Sequence, residues 1–342
     1  MKEATHILGI DIAKNKFDVN LRARLHPDAR HSATFHNNAK GFAALQRWLV
    51  QHGAAVPVDL HACLESTSRY GDALANWLYT HAYQVSLVNP RRTRHYANSR
   101  LARTLNDQID AALIADFCAE QRDQLALWEP LPAEHRQLQD LTRARQALVE
   151  HREGFANLLE TATGPARKSF QRQMAHLDKE IQRLEAAIQA FLKEEAPGLQ
   201  SQIALADSVP GVGLITAATV VAELPPIAKL ARASQAIALF GLDPKNKTSG
   251  TSVKTPARLS KMGSKRGRRA LYMPALVALR HNPVVQALGQ RLKQRGRSGK
   301  YVVVAAMRKL LRLIFGVIKS GKPFDPLWAA SSPAQPQTLT PA

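Results

Sequence analysis

Acidic residues almost disappear from the last third of this 342-residue chain. Residues 241–342 hold 20 Lys and Arg against two acids, Asp243 and Asp325, whereas residues 1–240 are nearly balanced, with 27 basic and 25 acidic side chains. Of the excess of +20, +18 is therefore concentrated in one segment. Such a field attracts polyanions, nucleic acid first and an anionic membrane surface second, and says little about fold. Cysteine is scarce as well. Cys63 and Cys118 are too few for a disulfide framework or a thiolate zinc site, which fits a reducing compartment. Long apolar runs are missing: Arg308, Lys309 and Arg312 interrupt the best candidate, and residues Met1 to His6 lack the apolar core of a signal peptide. The expectation is a soluble, cytoplasmic protein with no membrane partner. A hydrophobic content of 45% excludes a wholly disordered basic tail, and the length allows two or three domains at roughly 100–200 residues each.

The first 130 residues read as α/β. His6–Ala13 is a short apolar run with one acid near its end, Lys16–Arg22 alternates, and Ala33–Phe35 is a weaker third strand. A helix is predicted over about Lys40–His52, with Phe42, Leu45, Trp48 and Leu49 on one face. A strand Val58–Leu64 ending at Glu65, a helix over about Tyr70–His81, a strand Gln84–Val88 and a helix from Asp107 to about Glu120 follow. The order β-β-β-α-β-α-β-α describes an antiparallel meander passing into parallel units around one mixed sheet.

Four acids stand out in that frame. Asp11 lies in an apolar strand, Glu65 lies at the end of another, and Asp107 and Asp110 are three apart on a helix and share a face. Alone, each reads as a turn or cap residue. Brought to one sheet edge, the set would suit Mg²⁺, a hard ion that takes carboxylates and substrate phosphates, with Mn²⁺ able to replace it. Two such ions suit phosphodiester chemistry. Between the acids, Arg91, Arg92, Arg94, Arg100 and Arg103 form a cationic stretch: a solvated surface helix, or a hold on a phosphate backbone beside a metal site.

From about Glu134 to Glu195 the chain is charged and periodic. Leu141, Ala144, Leu148, His151, Phe155 and Leu158 form one apolar series, Met174, Leu177, Ile181, Leu184, Ile188 and Phe191 another, and Thr163-Gly164-Pro165 separates them. Two helices folded back as an antiparallel hairpin, or a coiled-coil arm for self-association, are predicted. Beyond it, Pro210-Gly211-Val212-Gly213 between two helices (about Leu199–Ala206 and Leu214–Glu223) reads as a helix-hairpin-helix turn. Gly211 and Gly213 there would let backbone N–H groups meet a phosphate. A polar loop from Lys245 to Ser252, including Lys247, precedes a basic run of Lys254, Arg258, Lys261, Lys265, Arg266, Arg268 and Arg269. Composition does not mark Ser249 in that loop as a nucleophile, since no His or Asp adjoins it to activate the hydroxyl. Tyr301–Lys319 is an amphipathic helix, and the Pro/Gln/Thr/Ala-rich residues 331–342 read as a disordered tail.

Gly9-Ile10-Asp11-Ile12-Ala13-Lys14, Leu64-Glu65-Ser66-Thr67, Asn106-Asp107-Gln108-Ile109-Asp110-Ala111 and Gly241-Leu242-Asp243-Pro244 with Ser249-Gly250-Thr251-Ser252 together resemble the DEDD transposases of bacterial insertion sequences. The group is insertion-sequence group 110 with its subgroup 1111, to which the Piv-type DNA invertases are related. The resemblance runs from Ile7 to about Pro283; the segment after Glu65, where many members carry Glu-Ala/Pro-Thr-Gly, departs locally. It implies a RuvC-like (RNase H fold) catalytic domain over residues 1–130 with Asp11, Glu65, Asp107 and Asp110 on Mg²⁺. It also implies a helical arm over 131–197, and a mostly helical transposase domain over 198–330 with Ser249 as nucleophile. The implied partners are donor and target DNA, an element-encoded guide RNA and further copies of the chain, as a dimer or tetramer, in a bacterial nucleoid setting. Two rivals remain: a RuvC-like nuclease in which metal-activated water attacks, and a non-catalytic RNA- or DNA-binding scaffold.

Overall fold

The computed structural model describes residues 4–24, 29–65, 69–99, 107–249 and 253–327. The chain divides after Pro130 into two compact units. In the first, β1 (His6–Ile12), β2 (Lys16–Ala23) and β3 (Arg30–His36) form an antiparallel meander, followed by α1 (Ala39–Gln51). Then come β4 (Leu60–Glu65), α2 (Asp72–Thr80), β5 (Gln84–Val88), α3 (Pro90–Ser99) and α4 (Asp107–Gln121). The five strands make one mixed sheet in the order β3-β2-β1-β4-β5, with β4 parallel to both β1 and β5.

Alternation along the strands assigns the two faces. Leu8, Ile10, Phe17, Val19, Leu21, Leu60, Ala62 and Leu64 point to one side and pack with Phe42, Leu45 and Leu49 of α1 and Leu74 and Leu78 of α2. The intervening residues Ile7, Gly9, Asp11, Cys63 and Glu65 take the other side, where Ile114, Ala115, Phe117 and Cys118 of α4 cover Ile7, Cys63 and Val88. α4 comes closer to β1 than a side chain would allow. A Cβ on Gly9 would lie 2.1 Å from the Ala111 carbonyl oxygen and 2.3 Å from the Ala115 backbone nitrogen. Asp116 of α4, itself buried, is held by Arg22 of β2 at 2.5 Å and Arg30 of β3 at 3.1 Å.

Two cysteines do not make a framework, but this fold brings them together. Cys63 of β4 and Cys118 of α4 form a disulfide with their Cα atoms 6.2 Å apart, within the range a disulfide spans. Beside it, His61 is buried, and its Nε2 lies 2.9 Å from Ser86 Oγ. Burial, reinforced by the Arg122 charge, pushes the His61 pKa down to about 4.

The second unit is helical apart from one hairpin. α5 (Ala133–Thr161) and α6 (Gly164–Glu194) run antiparallel as predicted, joined by Arg145–Glu185 and Arg152–Asp178 ion pairs and by Phe155 against Phe170. Their base is no free coiled coil: Leu138, Ile188, Phe191 and Leu192 enter the unit's main core. That core gathers α7 (Pro197–Asp207), α8 (Leu214–Glu223), α9 (Ala233–Leu239), α10 (Lys265–His281), α11 (Pro283–Gln294) and α12 (Gly299–Ser320). Where a polar loop is expected, β6 (Pro244–Ser249) and β7 (Val253–Leu259) pair antiparallel with a register irregularity at Lys245/Lys247. The β-branched residues Thr248, Val253 and Thr255 favour the pleated form, a signal that the polar composition hides. The expected tail, 331–342, lies outside the described residues. No helix among those described is long and apolar enough to cross a membrane.

Two stability outcomes follow. Gly9→Ala forces Cβ into helix backbone that cannot yield as a side chain would, so it should cost about 3 kcal/mol or more, read as a fall in the urea midpoint of the first unit's transition. His61 has a folded pKa of about 4 against 6.5 for the free side chain, so on acidification the unfolded chain takes up a proton that the folded chain refuses. Its contribution is therefore complete above the unfolded value and is lost as pH falls from about 6.5 to about 4, amounting to about 3 kcal/mol. Denaturant melts across that window should show the slope, and His61→Gln should flatten it.

Candidate active site

The β1–β4 register ends at Ile10 opposite Leu64, so Asp11 and Glu65 are the next residues on two adjacent parallel strands. They stand level with each other at the strands' C-terminal edge and on the same sheet face, with a strand spacing of about 5 Å between them. α4 supplies the helical acids. Its Ala111 and Ala115 sit over Gly9, while Ala119 and Arg122 reach Ile7 and Arg24 at the opposite end of the sheet. The helix thus runs antiparallel to β1, and its N-terminal turn, with Asp107 and Asp110, comes to the edge where Asp11 and Glu65 are. Asp11, Glu65 and Asp110 are half-buried. The structure therefore gathers onto one edge acids that are up to 99 residues apart in sequence.

Two neighbours of this cluster escape sequence reasoning in different ways. Thr93, buried on α3, donates its hydroxyl to Glu65 Oε1, with the Pro90 carbonyl as a second acceptor at 3.0 Å. Nothing in the sequence marks it, because the contact depends on how α3 packs against α4 beside the end of β4. Asp18 is paired with Asp11 across the β1–β2 ladder and is buried, held by Thr34 Oγ1 at 2.5 Å and Lys16 Nζ at 3.1 Å. Its signal was present: the alternation in Lys16–Arg22 sets Asp18, Asn20 and Arg22 on one polar face.

The cationic stretch after β5 is the helix α3, capped by Asn89, whose side chain accepts from the Arg91 N–H at 2.9 Å. Arg91 and Arg94 are exposed, and Arg92 lies over the Phe117 ring at 5.1 Å. Arg100 and Arg103 lie outside the described residues. A second, softer group, His61, Cys63 and Cys118, has its ligand atoms within 4.8 Å of one another, but it is wholly buried and its sulfurs are joined.

In the second unit, Ser249 is the last residue of β6, opposite Val253 at the hairpin's turn end. Lys245 and Lys247 are on the same strand and Lys254 on its partner. The hairpin is anchored at its base, where Ser260 Oγ donates to Asp243 Oδ1 at 2.7 Å and the Ser260 N–H to the Asp243 carbonyl at 3.0 Å. Lys261, Lys265 and Arg266 are exposed. Arg268 and Arg269 are engaged within the unit: Arg268 donates to the Phe240 and Gly263 carbonyls, and Arg269 pairs with Glu150 and Glu153 on α5.

The turn between α7 and α8 also departs from expectation. Gly211 has a φ of 98°, and a Cβ there would meet Ala278 of α10 at 2.9 Å, so this glycine serves packing. Gly213 is the exposed residue of the pair and the N-cap of α8, with no side chain capping it. The turn is held by buried Asn282, whose Nδ2 donates to the Pro210 carbonyl at 3.2 Å. A further cationic group lies on α12, where the sequence sets Arg308, Arg312 and Lys319 on the polar face of an amphipathic helix. Burial lowers the Lys309 pKa and Arg312 and Arg291 lower it further; burial and Arg312 also lower that of Arg308. Arg308 Nε is buried without a hydrogen-bond partner among the described residues. Like charges on α11 and α12 are thus close enough to act on one another.

Comparison with known proteins gives the family. A transposase family model, for DEDD transposases of the IS110 type, matches residues 8–162, which hold all four acids. A second model, described as transposase IS116/IS110/IS902 family, matches residues 203–290, which hold the α7–α8 turn and Ser249. The pilin gene-inverting protein of Moraxella bovis is 30% identical over 326 residues, covering 93% of this chain and 97% of that relative. The pilin gene-inverting protein of Moraxella lacunata matches to the same extent. An uncharacterised 43.6 kDa protein of insertion element IS110 from Streptomyces coelicolor is 27% identical over 138 residues, 40% of this chain and 33% of that one. The chain belongs to the IS110 family of DEDD transposases and is a recombinase acting on DNA.

Proposed function

We propose that the chain is an insertion-sequence transposase that cuts and rejoins DNA by phosphodiester exchange, with Ser249 as nucleophile and a guide RNA selecting the donor and target strands. The convergence of Asp11, Glu65 and Asp110 at the C-terminal edge of the sheet carries this reading. The strand order β3-β2-β1-β4-β5, three antiparallel strands followed by two parallel ones, supports a RuvC-like domain over residues 1–130. The helical arm over 131–197 and the transposase domain over 198–330 complete the division, and the arm is the segment best suited to joining two or four copies.

The acids fit a divalent cation by the chemistry of their donors. They are all hard carboxylates, and Asp11, Glu65 and Asp110 are half-exposed, in contrast to the buried nitrogen and sulfur atoms of the His61 group. Asp11, Glu65, Asp107 and Asp110 would hold Mg²⁺, which supplies positive charge to a phosphate and to its leaving oxygen. Thr93 fixes the Glu65 carboxylate through its hydroxyl hydrogen bond. Ser249 Oγ attacks phosphorus, so the Oγ–P bond forms and a strand P–O bond breaks. The serine proton ends on the departing strand oxygen, and a second strand's hydroxyl later reverses the linkage. No net hydrolysis results. Lys245, Lys247, Lys254, Lys261, Lys265, Arg266 and Gly213 hold nucleic-acid backbone in the second unit, and Arg91 and Arg94 do so in the first.

Incubating the protein with element RNA, paired donor and target DNA and Mg²⁺ tests the reading. Asp11→Ala, Glu65→Ala and Asp110→Ala should each abolish recombination while DNA binding persists. Ser249→Ala should also abolish the covalent protein–DNA adduct. Cleavage that survives Ser249→Ala would assign attack to water and make the chain a nuclease, and site-specific exchange without RNA would remove the guide. Thr93→Val should raise the Mg²⁺ concentration needed for half-maximal activity about tenfold, the size of one lost hydrogen bond to a charged group, measured by metal titration at saturating DNA.

A further inference from the structure

Three buried side chains lie behind the acid edge and have no part in the proposed reaction. His61, Cys63 and Cys118 are almost fully inaccessible, and they sit on the same two elements, β4 and α4, that carry Glu65 and Asp110. The hydrogen bonds fix the imidazole tautomer. Ser86 Oγ donates to the Ala126 carbonyl at 2.9 Å, so it can only accept from His61, which therefore carries its proton on Nε2. Nδ1 is left as an acceptor, 3.7 Å from Cys118 Sγ. The ring is neutral at neutral pH, because burial and Arg122 hold its pKa low.

We infer that Cys63 and Cys118 form a reversible, peroxide-responsive staple between the two acid-bearing elements, with His61 as the hydrogen-bond acceptor that orients the Cys118 thiol. In the reduced protein the Cys118 thiol hydrogen bonds to Nδ1 while its sulfur attacks a peroxide oxygen. The O–O bond breaks, sulfur becomes a sulfenic acid, and the released hydroxide takes the thiol proton and leaves as water. The Cys63 sulfur then attacks the sulfenic sulfur; the S–S bond forms, the S–O bond breaks, and oxygen leaves as a second water with the remaining proton. Two thiols are oxidised and one hydroperoxide is reduced. A small thiol or dithiol reductant reverses the bond by exchange.

Two features favour a small oxidant. The pair is buried, which excludes a protein partner as the direct reagent. A polar pocket of about 130 Å³, lined by Arg22, Arg24 and Arg122, is walled by Ile7 and Ala119, and both of these pack against the cysteine cluster. The consequence is set by topology. The disulfide closes a separation of 55 residues, and the segment inside it contains Glu65, Thr93, Asp107 and Asp110. Oxidation thus ties together the elements whose spacing defines the acid edge, and reduction leaves them joined by packing alone.

The full-length chain, reduced with dithiothreitol and desalted, should lose both alkylatable thiols on treatment with hydrogen peroxide, with a mass lower by two hydrogens. The first unit's thermal transition should rise by roughly 10 °C, as expected for a loop of this length, and dithiothreitol should return both readings. His61→Gln should slow disulfide formation about tenfold, the size of one lost hydrogen bond, and leave the oxidised end state unchanged. Thiols that persist under peroxide, or that proceed to sulfinic acid without cross-linking, would overturn the proposal. So would a reduced protein whose transition is raised as far by one equivalent of Zn²⁺, which would make the trio a soft-metal site. These readings need neither DNA nor Mg²⁺, so their failure is distinct from that of the transposase reading.

Discussion

The first unit is organised around a contact that only glycine permits. With a hydrogen in place of a side chain at Gly9, α4 can lay backbone directly on β1. That approach fixes the height of the helix above the sheet, and the Arg22–Asp116–Arg30 pairs fix its rotation and slide. Asp107 and Asp110 have no strand of their own to place them; their position is inherited from the helix. The acid edge is therefore a property of the β1–α4 packing, and Asp11 and Glu65 complete it because their strands are parallel neighbours in register.

The same face carries a graded set of polar groups, which explains how charge is tolerated there. Towards one end, Asp116 is neutralised by two arginines and His61 is kept neutral by burial. In the middle the disulfide and Ile114 make a dry layer. Towards the other end the acids emerge half-exposed, and Asp18, the most buried of that group, has Lys16 and Thr34 as partners. Buried charge on this face is matched locally, and carboxylates that would bind a cation are kept where water and substrate can reach them.

Much of this was legible in the sequence because it is local. Strand alternation, the apolar face of α1 and the two helical runs around Gly164 follow from side-chain period alone, and the elements match to within a few residues. The four acids were readable as a set because motif order survives without coordinates. What was not legible depends on contacts between distant segments. Thr93 reaches Glu65 only because α3 packs against α4 beside the end of β4, Cys63 meets Cys118 across 55 residues, and Arg269 meets Glu150 and Glu153 across more than a hundred. The β6–β7 hairpin was obscured for another reason: Lys and Ser dominate its composition, and its strand character rests on a few β-branched residues. Gly211 shows the converse, a residue correctly singled out whose reason is helix packing.

The shortage of acids in the last third bears directly on the proposed chemistry. No carboxylate stands between Asp243 and Asp325, and Asp243 is occupied by Ser260 at the base of the hairpin. The strand that ends in Ser249 is thus surrounded in sequence by cations and hydroxyls, a setting that attracts a phosphate but cannot take a proton from serine. On α12, burial and the Arg312 charge lower the Arg308 pKa against the opposing pull of Tyr301 and Asp243, and burial with Arg312 and Arg291 lowers that of Lys309. On the proposed reading, the second unit holds the polyanion and presents the nucleophile, and the first holds the metal. The division of charge along the chain is, on that reading, a division of chemical labour between the two units.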